Sequence, residues 1–390
     1  MVCFFWFFIS ADPLQGIKVL QDKKRKRQQG LHLEIQKLAI RKPMRLSLYK
    51  LALLVAFRFC VLSVSILAAA KVPEPLWLKT GEFNWKCSEP IFYPPNIPGE
   101  MCYSIKDPSI VFYKGFWHLF CTIRGKKRSH FIEYLRFSDW RKIQRVQRSV
   151  LNVTSGYFCA PQVFFFTPHK KWYLIFQVLD KTRRPALQPA FSTTKTIELA
   201  SSWSSPKLLF EKTPPGISRW IDFWVLRGAS RVYLFFTSHD GRLFRSSTSV
   251  KDFPTGWTKP QTALVADIFE AAHIYKLKGL NRYLALVEAI GPRGRRYYKA
   301  FLAKSLQGRW TPIADSWKKA FASSLNVRFE KEAWTDSFSH GELIRAGYDE
   351  RLSVNPFKLE FLFQGVSDRA RDSLPYGKIP WRLGLLKQNF

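Results

Sequence analysis

The chain is 390 residues long, 46% hydrophobic and 16% aromatic, with a formal net charge of +33. That length suffices for one large domain, and a toroidal or barrel form can use nearly all of it. Three Met and seven His offer little for redox or multi-metal chemistry, and the lack of GxSxG, P-loop and strand-to-helix glycine motifs excludes the common serine-hydrolase and nucleotide-binding designs.

Residues 1–70 hold 12 Lys/Arg against 3 Asp/Glu, and the rest of the chain holds 50 against 26. An excess spread along the chain, without one long basic stripe, fits a solvated surface or attraction to an anionic polysaccharide as well as it fits nucleic acid. No nucleic-acid partner is therefore expected.

In chain order, residues 1–43, with the basic run Lys23-Lys24-Arg25-Lys26-Arg27, read as an extension upstream of the natural start. Residues 44–70 read as a signal peptide: from Met44, Arg45 and Lys50 form a short basic region, Leu51 to Leu67 is mostly apolar, and Ala68-Ala69-Ala70 is a small-residue cleavage site before Lys71. Arg58 interrupts the apolar stretch, which is short for a stable span, so a secreted mature chain without a membrane span is expected. Cys87, Cys102, Cys121 and Cys159 follow the cleavage point, and an even count in an exported chain permits one or two disulfides. No CxxC pair is present, which argues against structural zinc. Residues 71–100 are rich in Pro and Trp and read as an extended arm.

From residue 101 a unit repeats: an apolar segment, a polar turn, an alternating aromatic strand, then a Trp near a Ser- or Gly-rich bend. The aromatic strand recurs as Phe116-Trp117-His118-Leu119-Phe120, Trp172-Tyr173-Leu174-Ile175-Phe176, Val232-Tyr233-Leu234-Phe235-Phe236 and Tyr283-Leu284-Ala285-Leu286-Val287, with Leu359-Glu360-Phe361-Leu362-Phe363 as a fifth copy. Trp140, Trp203, Trp257 and Trp310 follow at intervals of 63, 54 and 53 residues. Several short strands per copy at this period predict an all-β, five-bladed β-propeller over 101–390. A β-sandwich with long loops is the competing architecture.

Three carboxylates interrupt the first segment of their copies. Asp107 lies 10 residues before Trp117, Asp222 lies 11 before Tyr233 and Glu270 lies 13 before Tyr283, while the second copy has Gln162 at 11 before Tyr173. First segments line the channel of a propeller, so these four side chains are expected to converge, Gln162 as a substrate contact. An acid in an apolar run is costly unless it is paired or used. Inverting glycoside hydrolysis uses such a group: it needs one carboxylic acid for the leaving oxygen and one carboxylate for water, and a third nearby can raise the acid's pKa by like-charge repulsion. His340 falls on the fifth inner segment, where it can hold a water or an ion, and Asp336 and Glu342 flank it.

These segments resemble the α-L-arabinofuranosidases of glycoside hydrolase family 62. The likeness covers roughly residues 85–390 and is closest in Asp267-Ile268-Phe269-Glu270, Leu286-Val287-Glu288-Ala289-Ile290-Gly291, Arg296-Tyr297-Tyr298-Lys299, Ser339-His340-Gly341-Glu342 and Pro380-Trp381-Arg382-Leu383-Gly384. The resemblance implies an inverting hydrolase that removes arabinofuranose side groups from xylan-type polysaccharide. It makes Asp107, within Lys106-Asp107, the base, Asp222 the tuning aspartate and Glu270 the acid. Lys106 and Tyr297 become substrate contacts, and His340 a channel residue beside a water or a structural calcium. No cofactor is required, and a monomer is expected. Two stretches depart from the family pattern: Phe223-Trp224 after Asp222, and Arg124-Gly125-Lys126-Lys127-Arg128-Ser129-His130 in place of a cleft loop. A propeller glycosidase on another glycoside, and a non-catalytic carbohydrate-binding propeller, are the rival functions.

Overall fold

The recurring aromatic runs are the second strands of five mainly antiparallel sheets. A computed structural model describes residues 73–389; the expected upstream extension and signal peptide lie outside the described residues. The short strand β1 (Trp85–Cys87) comes first. Blade I is β2 (Cys102–Tyr113), β3 (Phe116–Gly125), β4 (Phe131–Phe137) and β5 (Gln147–Val150), and blade II is β6 (Phe158–Phe166), β7 (Lys171–Leu179), β8 (Leu187–Thr194) and β9 (Lys207–Leu208). Blade III is β10 (Ile221–Arg227), β11 (Arg231–Thr237), β12 (Arg242–Ser249) and β13 (Gln261–Val265); blade IV is β14 (Glu270–Leu277), β15 (Tyr283–Ile290), β16 (Arg296–Ala303) and β17 (Thr311–Ala314). The remaining strands are β18 (Val327–Phe329), β19 (Ser337–Leu343), β20 (Ser353–Val354), β21 (Glu360–Val366) and β22 (Arg382–Gln388). The result is the expected five-bladed β-propeller.

Second strands β7, β11 and β15 are buried almost end to end instead of alternating inside and outside. The cause is blade stacking: each sheet lies between two neighbours, so both faces are covered and apolar side chains suit every position. Phe120, Phe176, Phe235 and Phe363 are fully buried at these interfaces, and truncating one such ring typically costs about 3–5 kcal/mol.

Blade V departs from the expectation for residues 71–100. Its strand order is β18-β1-β22-β21-β19, so residues 85–87 of the segment read as an arm belong to a blade. β1 pairs antiparallel with β22, Trp85 opposite Gln388, and parallel with β18, Trp85 opposite Val327. The indole of Trp85 donates to the Phe321 carbonyl and that of Trp77 to the Pro356 carbonyl at 2.8 Å. Three residues give too short a run for alternation to mark a strand. The four described cysteines sit on β1, β2, β3 and β6 and are all free, so neither of the permitted disulfides forms.

Every inner strand is broken by a bulge, at 106–109, 159–162, 221–224, 270–273 and 339–341. In the first four the bulge holds a non-glycine residue at positive φ: Asp107 (48°), Ala160 (52°), Asp222 (57°) and Ala271 (51°). Bulges re-aim side chains and locally increase twist. Two residues further on, each strand reaches to the next blade. Ser109 Oγ accepts from Val163 N at 3.0 Å. Gln162 brackets Val225, accepting from its N–H at 2.7 Å and donating to its carbonyl at 2.8 Å. The Trp224 indole donates to Ile274 O at 2.9 Å, His273 Nδ1 to Gly341 O at 2.5 Å, and Glu342 accepts from Ile110 N at 3.2 Å. Five side chains thus close a ring around the axis, satisfying backbone groups that no ladder serves.

Candidate active site

The bulges decide what converges. Asp107 and Asp222 are the left-handed residues of blades I and III, a conformation that aspartate adopts more readily than most residues. From blade V, His340 Nδ1 lies 3.4 Å from Asp107 Oδ1 and 3.8 Å from Asp222 Oδ2. Asp222 Oδ2 also accepts the N–H of Ala271 at 2.8 Å, which ties it to the residue after Glu270. Glu270, first in β14, has Oε2 3.2 Å from His239 Nε2, and His239 in turn stacks on Phe269 with centroids 4.9 Å apart. Asp107, Asp222, Glu270 and His340 therefore form one cluster. Lys106 belongs to it, because both Asp107 and Glu270 act on its ammonium group.

The two aspartates hold protons differently. Burial pushes Asp107 up, but Lys106 and His340, with a hydrogen bond from Thr122, outweigh it and hold the carboxyl below its usual range. Burial also acts on Asp222, and there the carboxylates of Glu270 and Asp107 add to it, so Asp222 is pushed well above its usual range despite the Ala271 N–H. An ionised group thus stands beside a proton-holding one, the separation that acid–base catalysis requires. The backbone of Asp107 is fixed by its own N–H, which donates to Gln364 Oε1 at 2.9 Å.

Two residues expected at the site are elsewhere. Both amide atoms of Gln162 are committed to Val225: in the ladder its equivalents are Ser109, Trp224 and His273, not the acids, and the residue matching Asp107 and Asp222 is Ala160. Counting back from the aromatic strand misplaced it by two residues, because the hairpin between the first two strands varies in length: Ser109 and Trp224 lie 11 residues before their ladder partners Phe120 and Phe235, and Gln162 lies 13 before Ile175. Tyr297 packs in blade IV with Ala289, Ala320 and Trp317. Burial, with Asp267 and Asp315, pushes its phenol up to about 12. The flanking acids of His340 are also spoken for, Asp336 by Arg295 at 3.2 Å and Glu342 by Arg345 at 2.5 Å.

Other residues join the cluster without having been singled out. Glu288, opposite Glu270 in the ladder, accepts from Ser339 Oγ at 2.9 Å and from His340 N at 2.8 Å. It sits in the apolar run Val287-Glu288-Ala289, the same signal that marked Asp107. Tyr376, in the β21–β22 loop, has Lys106 Nζ 5.7 Å from its ring centroid. His239 and Tyr376 lie in loops, where no periodicity marks them. Among the described residues no group of three or more His, Cys, Asp or Glu is arranged to hold a metal ion. Calcium takes six to eight oxygen ligands, whereas His340 turns a nitrogen to two carboxylates, so the donor set does not fit the expected calcium.

The model of glycosyl hydrolase family 62 matches residues 96–387. Alpha-L-arabinofuranosidase C of Cellvibrio japonicus (strain Ueda107) is 38% identical over 313 residues, 78% of this chain; the chain spans 47% of that protein, about half its length. The catalytic domain of the Coprinopsis cinerea GH62 alpha-L-arabinofuranosidase superimposes with a TM-score of 0.74 at 35% identity, covering 79% of this chain and 98% of the domain. A GH62 hydrolase solved with xylotriose gives the same TM-score at 32% identity, covering 80% and 99%.

Proposed function

Because the chain belongs to glycosyl hydrolase family 62, we propose that it is a secreted, inverting α-L-arabinofuranosidase that releases arabinofuranosyl side groups from arabinoxylan-type polysaccharide. The observation that carries the reading is the convergence of Asp107, Asp222 and Glu270 in one cluster, with Asp107 held ionised beside a proton-holding Asp222. Asp107, held ionised by Lys106 and His340, takes a proton from water as the oxygen attacks the anomeric carbon. Glu270 gives a proton to the departing sugar oxygen as the glycosidic bond breaks. Asp222, anchored on the Ala271 N–H, tunes Glu270 and helps hold the arabinose. The reaction so drawn uses no cofactor. The xylotriose bound by one relative supports a xylan main chain, and the 44–70 pattern supports export.

The test is arabinose release from arabinoxylan by the chain beginning at Lys71, with Glu270→Gln alongside and the first-formed anomer followed by NMR. Arabinose appearing first as the β anomer, from the unaltered protein but not the variant, is the expected result. Release of the α anomer overturns inversion, and full turnover by Glu270→Gln overturns its role as the acid.

A further inference from the structure

We propose that the mouth of this site is built for an arabinose-bearing polysaccharide that also carries uronic-acid carboxylates, gripped by the cationic β3–β4 hairpin. The inference rests on the arabinofuranosidase reading and specifies its substrate class. The second-to-third-strand hairpins surround the cluster: His239 comes from one, Tyr376 from another. In four of them an arginine is neutralised by a carboxylate, Arg183 by Asp180 at 3.3 Å, Arg242 by Asp240, Arg295 by Asp368 at 2.7 Å and Arg371 by Asp368 at 3.0 Å.

The β3–β4 hairpin is different. It carries Arg124, Lys126, Lys127 and Arg128 with no acid of its own, and among the described residues none of the four has a carboxylate partner. The nearby Glu100 spends both oxygens on backbone, accepting from Lys127 N at 2.9 Å and Arg128 N at 3.0 Å. Arg124 and Arg128 donate only to carbonyls, Arg124 to Gly125 O at 2.6 Å and Ser129 O at 2.9 Å, Arg128 to Thr154 O and to Gly156 O at 3.3 Å. These bonds stiffen the hairpin; the Glu100 carboxylate offsets one of its four positive charges, and no side-chain carboxylate pairs with the rest, with Lys126 and Lys127 exposed.

The hairpin also reaches the reacting groups. A Cβ on Gly377 would stand 3.1 Å from Arg124 Nη2, so Arg124 lies against the residue after Tyr376, and Tyr376 covers Lys106. At its far end, burial together with Lys106 and Arg124 pushes His130 down to about 3, against the pull of Asp107. His130 is therefore neutral and adds no charge of its own to the cationic field of Arg124, Lys126, Lys127 and Arg128. The hydroxyls of a neutral arabinoxylan call for no such field. A carboxylate on a sugar near the arabinosylated residue would gain charge-assisted hydrogen bonds and faster encounter from it.

The experiment compares arabinose release from a glucuronic-acid-bearing arabinoxylan with release from the same polymer after chemical reduction of its carboxyl groups. The proposal expects kcat/KM about tenfold higher on the native polymer, the low end of electrostatic steering. That advantage should fade as salt rises to about 0.15 M and the screening length falls to about 8 Å. Lys126→Gln combined with Lys127→Gln should bring the ratio between the two polymers close to one. Equal rates on both polymers with the unaltered protein overturn the proposal while leaving the arabinofuranosidase reading intact. Should neither polymer yield arabinose, that reading falls, and gel retardation by native against reduced polymer still decides the charge question: preferential retardation supports it, equal retardation overturns it. Retention by DNA as strong as by the acidic polymer also overturns it, in favour of an unselective basic surface.

Discussion

Glu270 and Glu288 face one another across the β14–β15 ladder, and only Glu270 reaches solvent. Glu288 is completely buried, and burial, with Glu270 beside it, pushes its carboxyl up to about 8 against the nearby Arg296. The folded protein therefore keeps a proton that the unfolded chain releases near an ordinary glutamate's pKa. Folding stability must fall as pH rises across the interval from about 4.5 to about 8, then level off. Denaturant unfolding at pH 5 and pH 8 should show this loss, on the order of a few kcal/mol, and Glu288→Gln should flatten it. Parallel slopes for the two proteins would count against the buried proton.

Asp107 has the opposite sign. Its folded carboxyl is held below the usual range, so the base stays ionised as pH falls past the point where an ordinary aspartate protonates. Replacing Lys106 by Gln removes the leading opponent of burial. The acid limb of kcat/KM should then move upward by about one pH unit, read from the pH profile; a limb that stays put would remove Lys106 from the role.

The two catalytic carboxylates should separate by leaving group. Asp107→Asn is expected to lower turnover by at least about 10²-fold on both polysaccharide and an aryl arabinofuranoside. Glu270→Gln should lose as much on the polysaccharide and much less on the aryl compound, whose phenolate departs without a proton. Equal losses on both substrates would contradict the assignment of Glu270 as the acid.

Gln162 gives a prediction about stability instead of turnover. Gln162→Ala leaves the Val225 N–H and carbonyl buried without partners, at about 1–3 kcal/mol each. Unfolding should shift accordingly while KM stays within about twofold, because the amide belongs to the inter-blade ring. A large change in KM with unaltered stability would restore Gln162 to the substrate.

Much of the architecture was legible because blade stacking buries both faces of second strands such as β7, β11 and β15. That imposes the long aromatic runs and their period, which Phe116 to Phe120 and its four counterparts display. The acids were legible because a carboxylate in an apolar run is costly without a use, and Asp107, Asp222 and Glu270 all met that test. Glu288 met it too but lay on a second strand, outside the segments assigned to the channel. Phase was the weak point: the hairpin between the first two strands differs in length from blade to blade, and this put Gln162 two positions from where the count placed it. Tyr297 entered through resemblance alone, and its ring is packed against Trp317. The hairpin of residues 124–130 reads in the sequence only as a departure, because composition does not show that Arg124 and Arg128 donate to carbonyls and meet no side-chain carboxylate.

The clasp of β1 onto β22 bears on how the protein can be trimmed. The stretch that carries the family likeness begins at residue 96, after β1 has ended. A chain started there would lose the partner of β22 on one side and of β18 on the other, leaving two raw sheet margins able to recruit a second molecule. Shortening the C-terminus into β22 would open the same seam from the opposite direction. The first and last described strands are thus a single fastening, and the smallest piece expected to stay monodisperse starts ahead of Trp85 and keeps Gln388.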